Sequence, residues 1–250
     1  MEIRGKTSAT AMTKAGNPNE WYTATLGEII EESPAVKSFV FDTPSSVTNL
    51  AGQHFELRLT APNGYQAARL YSASEPGNGQ NTLKLTVMEV INGEVSPYLH
   101  DALEIGDQVE LRGPFGRFFV WTPENTQPTL LIGGGSGVVP MHAIFTAHTQ
   151  SHSESEMKLL YSSHTYEDIL YKNDFVDNPN VTITLSRNQP ANWKGRSGRI
   201  TSELVTEMVE SFQELPVCYV CGMSAFVDAI TEALQQAGVP ATSIKTERFG

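Results

Sequence analysis

Two short segments carry residue types from which chemistry can be built. The first is Arg69-Leu70-Tyr71-Ser72, and the second is Gly133-Gly134-Gly135-Ser136-Gly137-Val138-Val139-Pro140. On a strand, Arg69 and Tyr71 share a face, because side chains alternate with period two. Tyr71 then offers a flat ring to a conjugated ligand, and Arg69 offers forked donors to a pyrophosphate. Ser72 points the other way unless the strand ends there, which Ala73-Ser74-Glu75-Pro76-Gly77 favours. The same tetrapeptide also suits a strand arginine in a surface ion pair beside a core tyrosine.

The glycine segment follows the apolar run Thr129-Leu130-Leu131-Ile132 and opens a helical pattern. Its glycines let backbone approach a ligand unobstructed, and strand–loop–helix is a phosphate-binding context. It is not a P-loop, since no Lys-Ser/Thr pair follows. Nor is it the dinucleotide fingerprint GxGxxG, because Val138 stands where the last glycine belongs. A tight strand-to-helix turn would use the same residues. Two nucleotide sites in series suggest electron transfer between two nucleotides.

Further segments extend both sites. In Gly93-Glu94-Val95-Ser96-Pro97, Ser96 is a candidate N-cap and Pro97 a first helical residue. Such a start leaves backbone amides around Val95 free for an anion. Leu160-Tyr161-Ser162-Ser163-His164 and Ser186-Arg187 read as strand ends directed at the crevice of the glycine loop. Arg187, Lys194, Arg196 and Arg199 stand together with no acid among them, a local positive field that suits a phosphate monoester. Cys221-Gly222-Met223 ends another strand, and Glu247-Arg248-Phe249-Gly250 ends the sequence with an aromatic able to cover a flat cofactor.

The elements that must position these residues fall into two patterns. Residues 22–31, 36–43, 53–60, 67–73, 82–91, 107–112 and 117–121 read as short strands divided by Gly and Pro clusters, with one helical turn at 97–104. That pattern predicts an antiparallel β-barrel or sandwich. After Thr122-Pro123-Glu124-Asn125, strands at 129–133, 157–163, 180–186, 216–221 and 242–247 alternate with helices at 138–150, 167–173, 201–211 and 224–237. That alternation predicts an α/β unit with a parallel sheet. The expected organisation is a polar tail over 1–20, a β-barrel domain over 21–123 and an α/β domain over 124–250.

Composition narrows the function classes. Seventeen basic and 28 acidic residues give a net charge of −11, which opposes a nucleic-acid role. No apolar run is long enough for a membrane span. The two cysteines, Cys218 and Cys221, are too few for a disulfide scaffold or a four-thiolate iron–sulfur cluster, and they point to the cytoplasm. As CxxC on a strand, their sulfurs should diverge to opposite faces, which opposes a redox pair. His148 and His152 share a helical spacing without a carboxylate, a poor metal site.

In this order the motifs resemble the ferredoxin–NADP reductase superfamily, most closely the flavin-reductase portion of bacterial oxygenase reductases, from about residue 21 onward. The resemblance implies that the barrel binds FAD and the α/β domain binds NADPH, with NADH possible. It implies that Arg69, Leu70, Tyr71 and Ser72 form the flavin-binding strand, with Ser72 near the flavin N5 edge. Gly93, Val95 and Ser96 resemble the pyrophosphate loop. Gly134, Gly135, Ser136 and Gly137 resemble the nicotinamide-nucleotide loop, and Ser162, Arg187 and Arg199 the positions that hold the adenosine phosphate of NADPH. Cys221 and Gly222 resemble the motif beside the nicotinamide, and Glu247 and Phe249 the carboxylate and aromatic near the flavin ring. Ser72, Cys221 and Glu247 are thus the candidate catalytic residues. His164 stands where many relatives have Arg, Met223 replaces a common Pro, and no ferredoxin-like segment follows. The implied activity passes electrons to a separate ferredoxin, flavodoxin or oxygenase component. Reduction of a diffusible acceptor, and a non-catalytic flavin-binding subunit, are the alternatives.

Overall fold

The computed structural model describes residues 17–249; most of the expected polar tail lies outside the described residues. The barrel half is built from β1 (Tyr22–Ser33), β2 (Val36–Asp42), β3 (His54–Thr60), β4 (Gln66–Ser72), β5 (Thr82–Met88) and β6 (Gln108–Phe115), with α1 (Ser96–Asp101) between the last two strands. The strands pair antiparallel in the order β4-β3-β6-β1-β2-β5. An Ala73–Leu85 bridge and a bond from Ser74 N to Lys84 O (3.1 Å) join the end of β4 to β5, bringing the two edges of the sheet together. Alternation fills the interior: Phe39, Phe41, Phe55, Leu57, Leu85 and Leu111 are buried on inward positions.

The second half comprises β7 (Thr129–Gly134), α2 (Val138–Gln150), β8 (Met157–Ser163), α3 (Lys172–Phe175), β9 (Val181–Leu185), β10 (Arg196–Ser197), α4 (Ser202–Glu210), β11 (Val217–Met223), α5 (Ser224–Gln236) and β12 (Ile244–Phe249). All six strands run parallel in the order β10-β9-β8-β7-β11-β12. On β7, Leu130 and Ile132 face α4 and α5, whereas Leu131 faces α2. Fully burying each of these aliphatic chains contributes about 1.5–3 kcal/mol. The chain winds outward from β7 through β8 to β10, then returns to the other side of β7 as β11. The order therefore reverses between β7 and β11, and the carboxyl ends of those two strands are the place where open α/β sheets bind ligands.

Three local expectations are corrected. Residues 117–121 form no strand: Phe119 and Trp121 are buried in the core of the second half, and a single Ala51–Trp121 bridge replaces a ladder. Their apolarity serves the junction of the two halves. The helix expected at 167–173 shrinks to the single turn of α3, because Ile169 and Leu170 are buried in irregular backbone and Tyr171 is left-handed at φ 52°. Ser96 is not the N-cap. Val95 holds that position, and the Ser96 hydroxyl instead accepts a bond from Val90 N at 3.0 Å.

Cys218 and Cys221 sit in separate core clusters on opposite faces of β11, as the strand period requires. No helix among the described residues is long and apolar enough to cross a membrane.

Candidate active site

β4 ends at Ser72, whose buried Oγ has no hydrogen-bond partner. A buried hydroxyl is nearly always satisfied, so an orphan at a strand end fits a position that a ligand atom would complete. Beside it, burial pushes the Tyr71 hydroxyl up to about 12 while its ring packs against the barrel core. Arg69 Nη2 is 3.1 Å from Glu94 Oε2, and Tyr65 donates to the other oxygen of Glu94 at 2.7 Å. These two bonds, Tyr65's the larger influence, hold the Glu94 carboxyl below its usual range. The ion pair pins the Gly93–Ser96 loop against β4, uniting the two barrel segments singled out in the sequence. Leu70 is exposed, Val95 is buried, and no side chain caps α1.

The glycine loop is more structural than its sequence implied. A Cβ on Gly133 would stand 2.9 Å from Val138 Cα, and one on Gly137 would stand 2.2 Å from the Cys221 carbonyl oxygen. Those glycines let the loop pack on its own helix and on β11. At Gly134 and Gly222 a Cβ would meet the Phe226 ring, at 3.0 and 2.8 Å. Gly135 differs: at φ +55° it needs a left-handed conformation, and nothing lies within 4 Å of its missing Cβ. It is the loop position whose bareness faces open space. Ser136, beside it, lies in the short 3-10 turn that leads into α2.

Register brings the remaining candidates to the same end of the sheet. Ser162 pairs with Gly134 across β8 and β7. Cys221 pairs with Glu247, and Met223 with Phe249, across β11 and β12. Cys221 itself is fully buried, and desolvation, followed by the Glu247 charge, pushes its thiol well up. It is a neutral packing group within the core, with no accessible sulfur. Arg187 and Arg199 are exposed and enter no ion pair among the described residues, whereas Arg196 is tied to Glu207.

One residue missed in the sequence joins the halves. His54 opens β3, is the register partner of Ser72, and has Nδ1 3.8 Å from Glu247 Oε1. Both side chains are about one-fifth exposed, at 23% and 20%. Ser72, His54 and Glu247 therefore cluster where the barrel meets the last strand. A histidine after Gly52-Gln53 carries no signal for this; only the β3–β4 register reveals it. Phe226, the ring beneath two glycines, was missed for the same reason.

The oxidoreductase FAD-binding domain model matches residues 23–120, and the oxidoreductase NAD-binding domain model matches residues 131–232. Ferredoxin–NADP reductase B of Sorangium cellulosum is 30% identical over 243 residues, covering 92% of this chain and 98% of its own. The chain belongs to the ferredoxin–NADP reductase family. NADH-cytochrome b5 reductase 1 of Scheffersomyces stipitis is 29% identical over 204 residues, covering 77% and 70%. Among solved structures, the FAD/NAD-binding domain of nitric oxide dioxygenase from Vibrio cholerae superposes with a TM-score of 0.79 at 25% identity, covering 91% and 98%. As a member of the ferredoxin–NADP reductase family, this protein is an FAD- and NAD(P)-dependent oxidoreductase. Its residues fit the flavin: the buried Ser72 hydroxyl at the end of β4 lacks a partner, and the Tyr71 ring and a cation, Arg69, stand on the same strand.

Proposed function

We propose that the protein takes hydride from NADPH and delivers electrons singly to a separate acceptor protein of the ferredoxin, flavodoxin or oxygenase-component class. Bound FAD supplies the conversion of a two-electron donor into single electrons. The chain's own residues do the rest. Ser72 would offer its unpartnered hydroxyl to the flavin, and Tyr71 would offer its ring. Arg69, released from or shared with Glu94, neutralises pyrophosphate together with the Gly93–Ser96 loop. Gly134–Gly137, with Gly135 open, would hold the nicotinamide nucleotide together with Gly222, and Phe249 would cover the flavin ring. Ser162, Arg187 and Arg199 hold the 2′-phosphate that distinguishes NADPH from NADH. Glu247, with His54 beside it, would orient the reacting ring at that junction.

The observation that carries this reading is that His54, opposite Ser72 in the β3–β4 register, has its Nδ1 3.8 Å from Glu247 on the last strand, at the seam of the two halves. It is supported by likeness to a relative named as a ferredoxin–NADP reductase. Steady-state rates with reduced nucleotide test the acceptor class. Ferredoxin or flavodoxin should be reduced far faster than free flavin or a ferric chelate. The reverse ranking rejects the protein acceptor.

A further inference from the structure

His142 lies on α2, the helix that begins at the glycine loop, and is 4% exposed. Its Nδ1 is 2.7 Å from the carbonyl oxygen of Ser74, on the barrel. Its Nε2 is 2.9 Å from Asp174 Oδ2, on α3. A carbonyl oxygen and a carboxylate can only accept, so both ring nitrogens must donate. A neutral imidazole has one N–H and would turn a lone pair onto an acceptor. The ring also stacks on Tyr171 at 3.8 Å and 14° between planes, which suits a cation on an aromatic face.

Tyr171 is itself held on both sides of the seam. Its backbone is left-handed at φ 52°, a strained conformation for a bulky residue. Its hydroxyl donates to Thr86 Oγ1 on the barrel at 2.8 Å. Thr86 is in turn 2.7 Å from Ser38 Oγ, which donates to Glu32 at 2.6 Å. The other charged groups packed around the stack are Lys84, 6.0 Å from the Tyr171 ring, and its partner Glu75. They pair with one another at 3.1 Å, leaving Asp174 as the counter-charge in contact with His142.

We propose that His142 acts as a charged interdomain clasp: a positioning residue that fixes the helix of the nucleotide loop to the barrel two residues beyond Ser72. Its contacts are Ser74, Asp174, Tyr171 and Phe175, none of them a residue proposed to hold a ligand. Doubly protonated, it ties Ser74 and Asp174 together and sets the approach of the nicotinamide to the flavin; deprotonated, it loses one tie. The second consequence rests on the hydride route proposed above, so the test reads the ring directly as well.

The experiment uses the flavin-loaded full chain with ring-15N histidine. The His142 resonances, identified by their loss in His142→Gln, should show two protonated nitrogens at pH 7. In Asp174→Asn, a change at a side chain 57% exposed, they should show only one protonated nitrogen at pH 7. In rapid anaerobic mixing, the limiting rate of flavin reduction should fall with rising pH as the second ring proton is lost. His142→Gln should be slower by about tenfold and flat with pH, with NADPH affinity unchanged, since small misplacements cost rate. A ring carrying one proton at pH 7, or a rate profile that His142→Gln leaves unmoved, overturns the clasp. If wild-type flavin is not reduced by either nucleotide, the proposed hydride route fails, and the nitrogen spectra still decide the clasp on their own.

Discussion

Glu247 Oε1 stands 3.8 Å from His54 Nδ1, so the final strand of the chain reaches the first residue of a barrel strand. Glu247→Gln keeps the size and removes the charge. The expected result is a fall in the limiting rate of flavin reduction of about a hundredfold, the scale of a small misplacement of the reacting groups. Flavin content, read from the visible spectrum, should stay at one per chain. An unchanged rate would remove Glu247 from the reacting geometry.

Ser72→Ala separates function from stability. The hydroxyl is buried without a partner in the chain, and leaving such a group unsatisfied costs about 1–3 kcal/mol. Flavin-free protein should therefore keep its Tm or gain a few degrees by roughly that energy. Flavin reduction should slow by about tenfold to a hundredfold, as when one preorganised donor is lost. A lower Tm in the flavin-free protein would mean that Ser72 has an internal structural role instead.

Nucleotide choice is tested at Arg187 and Arg199. Each charge-assisted bond contributes about 1.5–3 kcal/mol, or roughly tenfold to a hundredfold in binding. Replacing either by Ala should raise KM for NADPH by that factor and leave KM for NADH unchanged. Equal effects on both nucleotides would reject the phosphate role.

The glycines of the loop should behave differently from one another. Gly137→Ala forces a methyl to within 2.2 Å of the Cys221 carbonyl, and overpacking of that kind costs about 1–3 kcal/mol or more. Its denaturation midpoint should drop sharply. Gly135→Ala meets open space and incurs only the left-handed backbone cost of about 1–2 kcal/mol. It should fold while binding NADPH more weakly. Similar stability losses in the two variants would contradict the distinction.

These contrasts mark what the sequence made legible. Period-two alternation and Gly/Pro breaks were enough to locate β1 to β6, and strand–helix alternation to locate the parallel sheet. Segment 117–121 misled because Phe119 and Trp121 are apolar for a seam rather than for a ladder. The four glycines looked uniformly ligand-facing, yet Gly137 faces β11 and Gly134 faces Phe226, contacts between segments far apart in the chain. His54 and Phe226 were invisible for the same reason: their positions follow from strand register and packing, and neither residue type nor spacing encodes those locally. Arg69 was legible as a cation on the correct strand, but its Glu94 partner emerges only when the loop folds back over β4.

In the proposed reaction, reduced nicotinamide nucleotide delivers its electrons to a flavin held at the Ser72–His54–Glu247 junction. Anaerobic titration of the flavin-loaded protein with NADPH, and in parallel with NADH, tests it most directly. The account predicts that the visible flavin band bleaches with one equivalent of nucleotide, at lower concentration for NADPH. A flavin band that neither nucleotide bleaches would contradict it.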